Sequence, residues 1–177
     1  PVQITEDGID IKIALNKRYY MYPPYSLGVL ATNLKKRGYD VSILDLNFDI
    51  FKTFFKNSSA NFSNEHITKI WKKTFEDKVN FFEPDLIGLC CTFTMGHDLL
   101  IRTADFSKSI RPATPIVAGG VHSTNAPEMV LKEGKNIDFV SLYEGDVSFC
   151  DFIDIANGKK SEERLSQIGT LINNQYI

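Results

Sequence analysis

Short apolar runs rich in β-branched residues alternate along this chain with longer stretches whose apolar residues recur at helical spacing. That alternation leaves few folds open, because it builds βαβ units around a parallel sheet. A first strand is predicted over Ile9–Leu15, with Ile11, Ile13 and Leu15 on one face. Leu27, Leu30, Ala31 and Leu34 then follow a helical period, and Gly38 stands where a left-handed C-cap is wanted. Val41–Leu46 is predicted as the second strand. Phe48, Phe51, Phe54 and Phe55 mark a short helix, and Asn57–Asn64 reads as a loop. Ile67, Trp71, Phe75, Val79 and Phe82 share one face of a further helix, which Pro84 ends. Asp85–Cys91 is the third strand, and its nearly continuous apolar run predicts burial on both faces. A helix follows over about Gly96–Ile110, with Leu100, Ala104, Ser107 and Ile110 facing inward. Pro115–Ala118 and Ile137–Leu142 are the fourth and fifth strands, separated by a short helix around Pro127, Val130 and Leu131 that Gly134 closes. Phe149, Phe152, Ile153 and Ala156 form the last helix, and Leu171–Ile177 reads as a hairpin about Asn173-Asn174.

Right-handed crossovers between five such strands give an α/β, doubly wound, five-stranded parallel sheet, with the flavodoxin-like order 2-1-3-4-5 favoured. The expectation is a single domain over 1–177, with a helical insertion at about 48–82 after strand two and a C-terminal hairpin at about 168–177. In this order ligands bind beyond the carboxyl ends of the strands. The informative residues should therefore lie in the loops after strands one, three, four and five.

After strand one, Tyr19, Tyr20, Met21, Tyr22, Pro23, Pro24 and Tyr25 lead into Leu27 and Gly28. The loop has no G-x-G-x-x-G, so the dinucleotide fingerprint is absent. Its tyrosines and methionine suit a large flat ligand, a protein partner, or packing on their own domain. After strand three come Thr92, Phe93, Thr94, Met95, Gly96 and His97. Hydroxyls and free backbone N–H groups at a helix start can hold phosphate or amide oxygens, and Thr92 or Thr94 can equally cap the helix. Cys90 and Cys91 point to opposite faces of a strand, so they cannot chelate one metal together and read as core cysteines. After strand four, Gly119 and Gly120 permit positive φ and close backbone approach, and His122, Ser123 and Thr124 follow. After strand five, Tyr143, Glu144, Gly145 and Asp146 offer an acceptor in Glu144 and an N-cap in Asp146.

Composition narrows the partners. Net charge is −2 and the Lys/Arg groups are short and scattered, so no basic surface for nucleic acid is expected. No apolar stretch reaches the ~18 residues of a membrane span, and the start has no secretion-signal profile. Three cysteines, two of them adjacent, suggest no disulfide framework, and a cytoplasmic setting is expected. The chain does not begin with Met and stops in an ordinary run, so it reads as part of a longer protein.

Four segments in order carry a resemblance. Pro23-Pro24 with Leu27-Gly28, Glu83-Pro84-Asp85-Leu86-Ile87-Gly88, Gly119-Gly120-Val121-His122-Ser123-Thr124, and Tyr143-Glu144-Gly145-Asp146 resemble the N-terminal cobalamin-binding domain of cobalamin-dependent radical S-adenosylmethionine enzymes. That family shows proline pairs, P-D-x-x-G, G-G-x-H-x-T and G-E-G-E at these places. The last motif departs, since Tyr143 replaces a glycine and Asp146 the final Glu. The C-x-x-x-C-x-x-C cluster motif is absent from this sequence; the family carries it in a following barrel domain.

The resemblance implies a cobalamin-binding domain with Tyr22, Pro24, Leu27, Gly28, Thr92, Thr94, Met95, Gly119, Gly120, His122, Thr124, Tyr143, Glu144 and Gly145 around the cofactor. No D-x-H-x-x-G follows strand one, so cobalamin is expected base-off with no histidine ligand from this domain, and His122 is read as bonding tail or corrin amides. The 4Fe-4S cluster and S-adenosylmethionine are expected only in a C-terminal radical barrel domain of the parent chain, a methyltransferase or an oxidoreductase or cyclase. Two other functions remain open: a cofactor-free interaction module of the same fold, and a signalling receiver domain. The receiver is disfavoured because Cys91-Thr92 and Tyr143-Glu144 stand where its phosphate-accepting Asp and its Lys belong.

Overall fold

The computed structural model describes residues 23–56, 63–161 and 165–177. The predicted first strand and Tyr22 lie outside the described residues. The chain falls into two compact units, residues 1–28 with 42–83 and residues 29–41 with 84–177.

The first unit is helical where it is described. Helix α1 (Tyr25–Lys36) begins here, its Gly28 amide donating to the Pro24 carbonyl at 3.0 Å. Helices α2 (Leu46–Lys56) and α3 (Asn64–Phe82) pack together. Ile50 and Phe51 of α2 are buried, as are Ile67, Trp71, Phe75 and Val79 of α3, an apolar stripe at helical spacing. Glu83 ends α3 in the left-handed conformation, its amide bonded to the Val79 carbonyl. The predicted strand over Val41–Leu46 is not observed: no described ladder includes it, and Leu46 already belongs to α2. A strand needs a partner for its N–H and C=O groups, and apolar alternation alone does not supply one.

The second unit holds the sheet. Strands β1 (Ile87–Cys90), β2 (Ile116–Gly119) and β3 (Phe139–Ser141) are parallel, and β4 (Ile168–Gly169) closes the order β1-β2-β3-β4 antiparallel to β3. These first three are the strands predicted third, fourth and fifth. The described sheet is thus mixed and four-stranded, not wholly parallel. A two-residue strand needs no crossover helix to lie antiparallel on an edge.

In β2, Ile116, Val117 and Ala118 are all buried, so both faces of the central strand are covered. β1 does not follow this pattern. Gly88 and Cys90 share one face of β1 and that face is exposed, which corrects both the predicted two-sided burial and the reading of Cys90 as a core residue. Leu171–Ile172 (β5) and Gln175–Tyr176 (β6) pair across Asn173 and Asn174, whose φ of 50° and 64° suit a tight hairpin turn. The segment predicted as one hairpin from about 168 is therefore divided, its first two residues serving the larger sheet.

Helices α4 (His97–Ile110), α5 (Val121–Asn125), α6 (Pro127–Glu133) and α7 (Gly145–Ala156) connect or follow the strands. Helix α5 occupies what sequence reasoning treats as loop; the turn at Gly119-Gly120 feeds straight into it. From α1, Leu34 packs with Cys150 and Ile153 of α7, bordered by Tyr39, Val41, Leu86, Phe149 and Phe152. No helix among the described residues is long and apolar enough to cross a membrane.

Candidate functional site

Parallel strands end together, so the segments after β1, β2 and β3 form one rim. Backbone bonds join neighbouring segments. Cys91 donates its amide to Gly119 O at 2.9 Å, and His122 donates its amide to Cys91 O at 3.1 Å. Gly120 makes that approach possible. Its φ is 95°, and a Cβ there would lie 2.6 Å from Cys91 O. Thr124 links the next pair: its hydroxyl donates to Gly120 O at 3.2 Å and accepts the Tyr143 amide at 2.9 Å. Tyr143 is held at φ 55°, a left-handed conformation rare for a side chain of its size.

What this brace presents outward is apolar. Phe93 and Met95 after β1, Leu99 in the first turn of α4, Val121 after β2, and Tyr143 and Val147 after β3 are all exposed, Met95 at 67% and Tyr143 at 69%. Exposed apolar side chains at the carboxyl ends of parallel strands make a surface on which a broad apolar group can rest. Thr92 and Thr94 are exposed beside them, as is Glu144. No side-chain bond caps α4 or the 3₁₀ turn Thr94–Gly96, so neither threonine does the capping the sequence allows. Asp146 lies in the first turn of α7 and is not its N-cap; Glu144 is.

Beneath the rim the groups are buried and coupled. Cys91 is buried, and burial pushes its thiol up, so it stays protonated and donates to Phe93 O at 3.3 Å. His122 is 1% exposed. Its Nε2 lies 2.9 Å from His97 Nδ1, and His97 Nε2 lies 3.0 Å from Glu133 Oε2. Burial, and then the neighbouring His97, pull His122 below the ordinary histidine range. A carboxylate only accepts, so Glu133 places a proton on His97 Nε2. In the neutral chain His97 Nδ1 is then the acceptor, His122 Nε2–H is the donor, and His122 Nδ1 is a bare acceptor. That buried atom has no hydrogen-bond partner.

Of the residues sequence reasoning selected, the second unit brings Thr92, Thr94, Met95, Gly119, Gly120, His122, Thr124, Tyr143, Glu144 and Gly145 to this one rim. His122 is almost wholly buried there, and the Thr124 hydroxyl is engaged within the chain. Gly145 admits Leu30 of α1, whose Cδ2 would lie 3.5 Å from a Cβ at that position. Pro24 precedes α1, and Leu27 and Gly28 lie in its first turns, in the first unit. Sequence reasoning passed over Val121, Val147 and Glu133. Val121 had a signal, since an apolar residue directly after a strand-end glycine pair falls at the predicted ligand edge. Glu133 had none, because its partner is distant in sequence.

These features define an α/β sheet domain with a braced rim at the carboxyl ends of its parallel strands. Residues 11–153 match the profile of the B12 binding domain, and the chain belongs to that family. It is similar to a cytidylyl-2-hydroxyethylphosphonate methyltransferase of Streptomyces wedmorensis, at 26% identity over 82% of this chain and 27% of the relative. It is also similar to a tryptophan 2-C-methyltransferase of Streptomyces laurentii, at 27% identity over 85% of this chain and 23% of the relative. The chain thus spans about a quarter of the length of these relatives. A radical S-adenosylmethionine methyltransferase from Kitasatospora setae, solved with tryptophan and an S-adenosylmethionine analogue, shares the fold with a TM-score of 0.65 at 18% identity over 88% of this chain and 27% of that structure.

Proposed function

We propose that this domain binds cobalamin across the rim formed after β1, β2 and β3, as the cobalamin-binding part of a radical S-adenosylmethionine methyltransferase. The observation that carries this reading is the family match over residues 11–153. The rim's chemistry fits the group. Phe93, Met95, Val121 and Tyr143 offer apolar area to a corrin ring, and the exposed Thr92, Thr94 and Glu144 can pair with peripheral amides. Gly119 and Gly120 keep the backbone low between them. Cobalamin, when bound, supplies a cobalt that carries a methyl group; the chain's own part is to bind and orient it and to keep water from one face.

In this reading no histidine of the second unit coordinates cobalt, since His97 and His122 are committed to each other and to Glu133. The cofactor is held base-off. The cluster and S-adenosylmethionine belong to a barrel elsewhere in the parent protein, consistent with relatives about four times the length of this chain.

Titration of the purified chain with hydroxocobalamin, followed by its visible spectrum, tests the reading. A saturable shift with micromolar or tighter affinity is expected. An unchanged spectrum with the fold intact by circular dichroism would replace it with a cofactor-free interaction module.

A further inference from the structure

Three observations converge on His122. Its Nδ1 is buried and unpartnered, although leaving an acceptor unsatisfied costs about 1–3 kcal/mol. Its tautomer is dictated from outside, through His97 by Glu133. Third, it follows a glycine pair only one member of which the chain itself requires. Gly120 must be glycine for its φ and its contact with Cys91, but a Cβ on Gly119 would meet nothing nearer than Ser141 O at 3.8 Å, an ordinary contact. The missing side chain at Gly119 therefore leaves clearance that packing does not explain.

We propose that Glu133, acting through His97, holds His122 in its Nε2–H tautomer so that Nδ1 accepts a hydrogen bond from a neutral N–H or O–H donor of the ligand. The ligand group is a carboxamide, not an anion, because a bare imidazole lone pair repels phosphate or carboxylate oxygen. A metal is not the answer, since among the described residues no three His, Cys, Asp or Glu side chains are grouped to hold one. The proposal rests on the cobalamin reading, cobalamin being a ligand edged with carboxamides, and it makes Glu133 and His97 positioning residues.

The test follows histidine imidazole 15N resonances of the full chain at neutral pH while hydroxocobalamin is added and its visible spectrum recorded. Free chain should show His122 with a bare Nδ1 and a protonated Nε2. Saturation should move Nδ1 upfield, towards the hydrogen-bonded position. Glu133→Ala should release the single tautomer and weaken binding about five- to tenfold, the effect of one hydrogen bond. Glu133→Gln, which keeps an oxygen acceptor, should restore most of both.

A protonated Nδ1 in the free chain overturns the proposal, as does a Glu133→Ala variant with unchanged tautomer and affinity. An unmoved Nδ1 in chain whose spectrum reports bound cofactor overturns it while leaving the cobalamin reading intact. A spectrum that never changes overturns both.

Discussion

The second unit contains two regions built on opposite terms. At one corner Arg37 bridges Asp151 at 2.7 Å and Asp154 at 2.6 Å, and the Tyr39 hydroxyl donates to Asp154 at 2.7 Å. Lys160 bonds Asp151 at 2.9 Å, and Lys159 Nζ sits 3.8 Å from the Tyr39 ring centroid. Each charge there has a partner, and together they tie the segment after α1 to α7. The rim is braced by backbone bonds, turns apolar side chains to the surface and keeps an unpaired acceptor beneath them. A closed network has no further use for a ligand, whereas a region left apolar outside and unsatisfied inside does.

The sharpest way to break the contrast is Gly120→Ala. The substitution adds left-handed strain of about 1–3 kcal/mol and a Cβ 2.6 Å from Cys91 O, on backbone that cannot yield cheaply. A loss of at least about 3 kcal/mol is expected in urea denaturation. A variant within 1 kcal/mol of the parent would mean that the rim is not braced at Gly120.

Arg37→Met should cost much less, about 1 kcal/mol, because the pairs it removes are partly solvated. Hydroxocobalamin affinity should not move. A change in affinity larger than the change in stability would join the two regions and end the comparison.

Titration separates them by pH. His122 is pulled below the ordinary histidine value of 6.5, so its contribution is present above that value and is lost as pH falls beneath it. The corner behaves otherwise. Arg37 lowers Asp151, and Tyr39 with Arg37 lowers Asp154, so their contribution is present above the ordinary carboxylate value of 3.8 and fades only as pH falls through the lowered values. Burial and then Asp154 push Tyr39 up to about 12, so its contribution is full below the ordinary value of 10.0 and is lost as pH rises towards 12. As pH falls beneath 6.5, amide exchange should loosen around residues 119–124 while Arg37 to Tyr39 stay protected. Simultaneous loosening would refute the separation.

The same contrast explains what was legible in the sequence. Helical stripes such as Ile67, Trp71, Phe75 and Val79 declare themselves because burial follows period, and strand ends marked by Gly119-Gly120 declare the rim. Val41–Leu46 misled because its apolar residues fit a strand as well as a helix entry. Cys90 misled because an apolar run of four residues does not show whether both faces of the strand are covered. The couplings stayed hidden for a different reason. His122 and Glu133 lie 25 and 36 residues from His97, too far for any local pattern to join them.

The smallest expected effect on stability is also the most discriminating. Gly119→Ala introduces a methyl in ordinary contact with Ser141 and removes glycine's backbone entropy from a strand, so stability should stay within about 1 kcal/mol of the parent or rise slightly. If the clearance at Gly119 serves only the fold, nothing else should change. If it admits a ligand group, hydroxocobalamin should bind at least about fivefold more weakly, the equivalent of one lost hydrogen bond. Set beside Gly120→Ala, the pair divides two neighbouring glycines into one that the backbone requires and one that the ligand requires. Equal affinity in parent and Gly119→Ala would remove the ligand from the explanation of that turn.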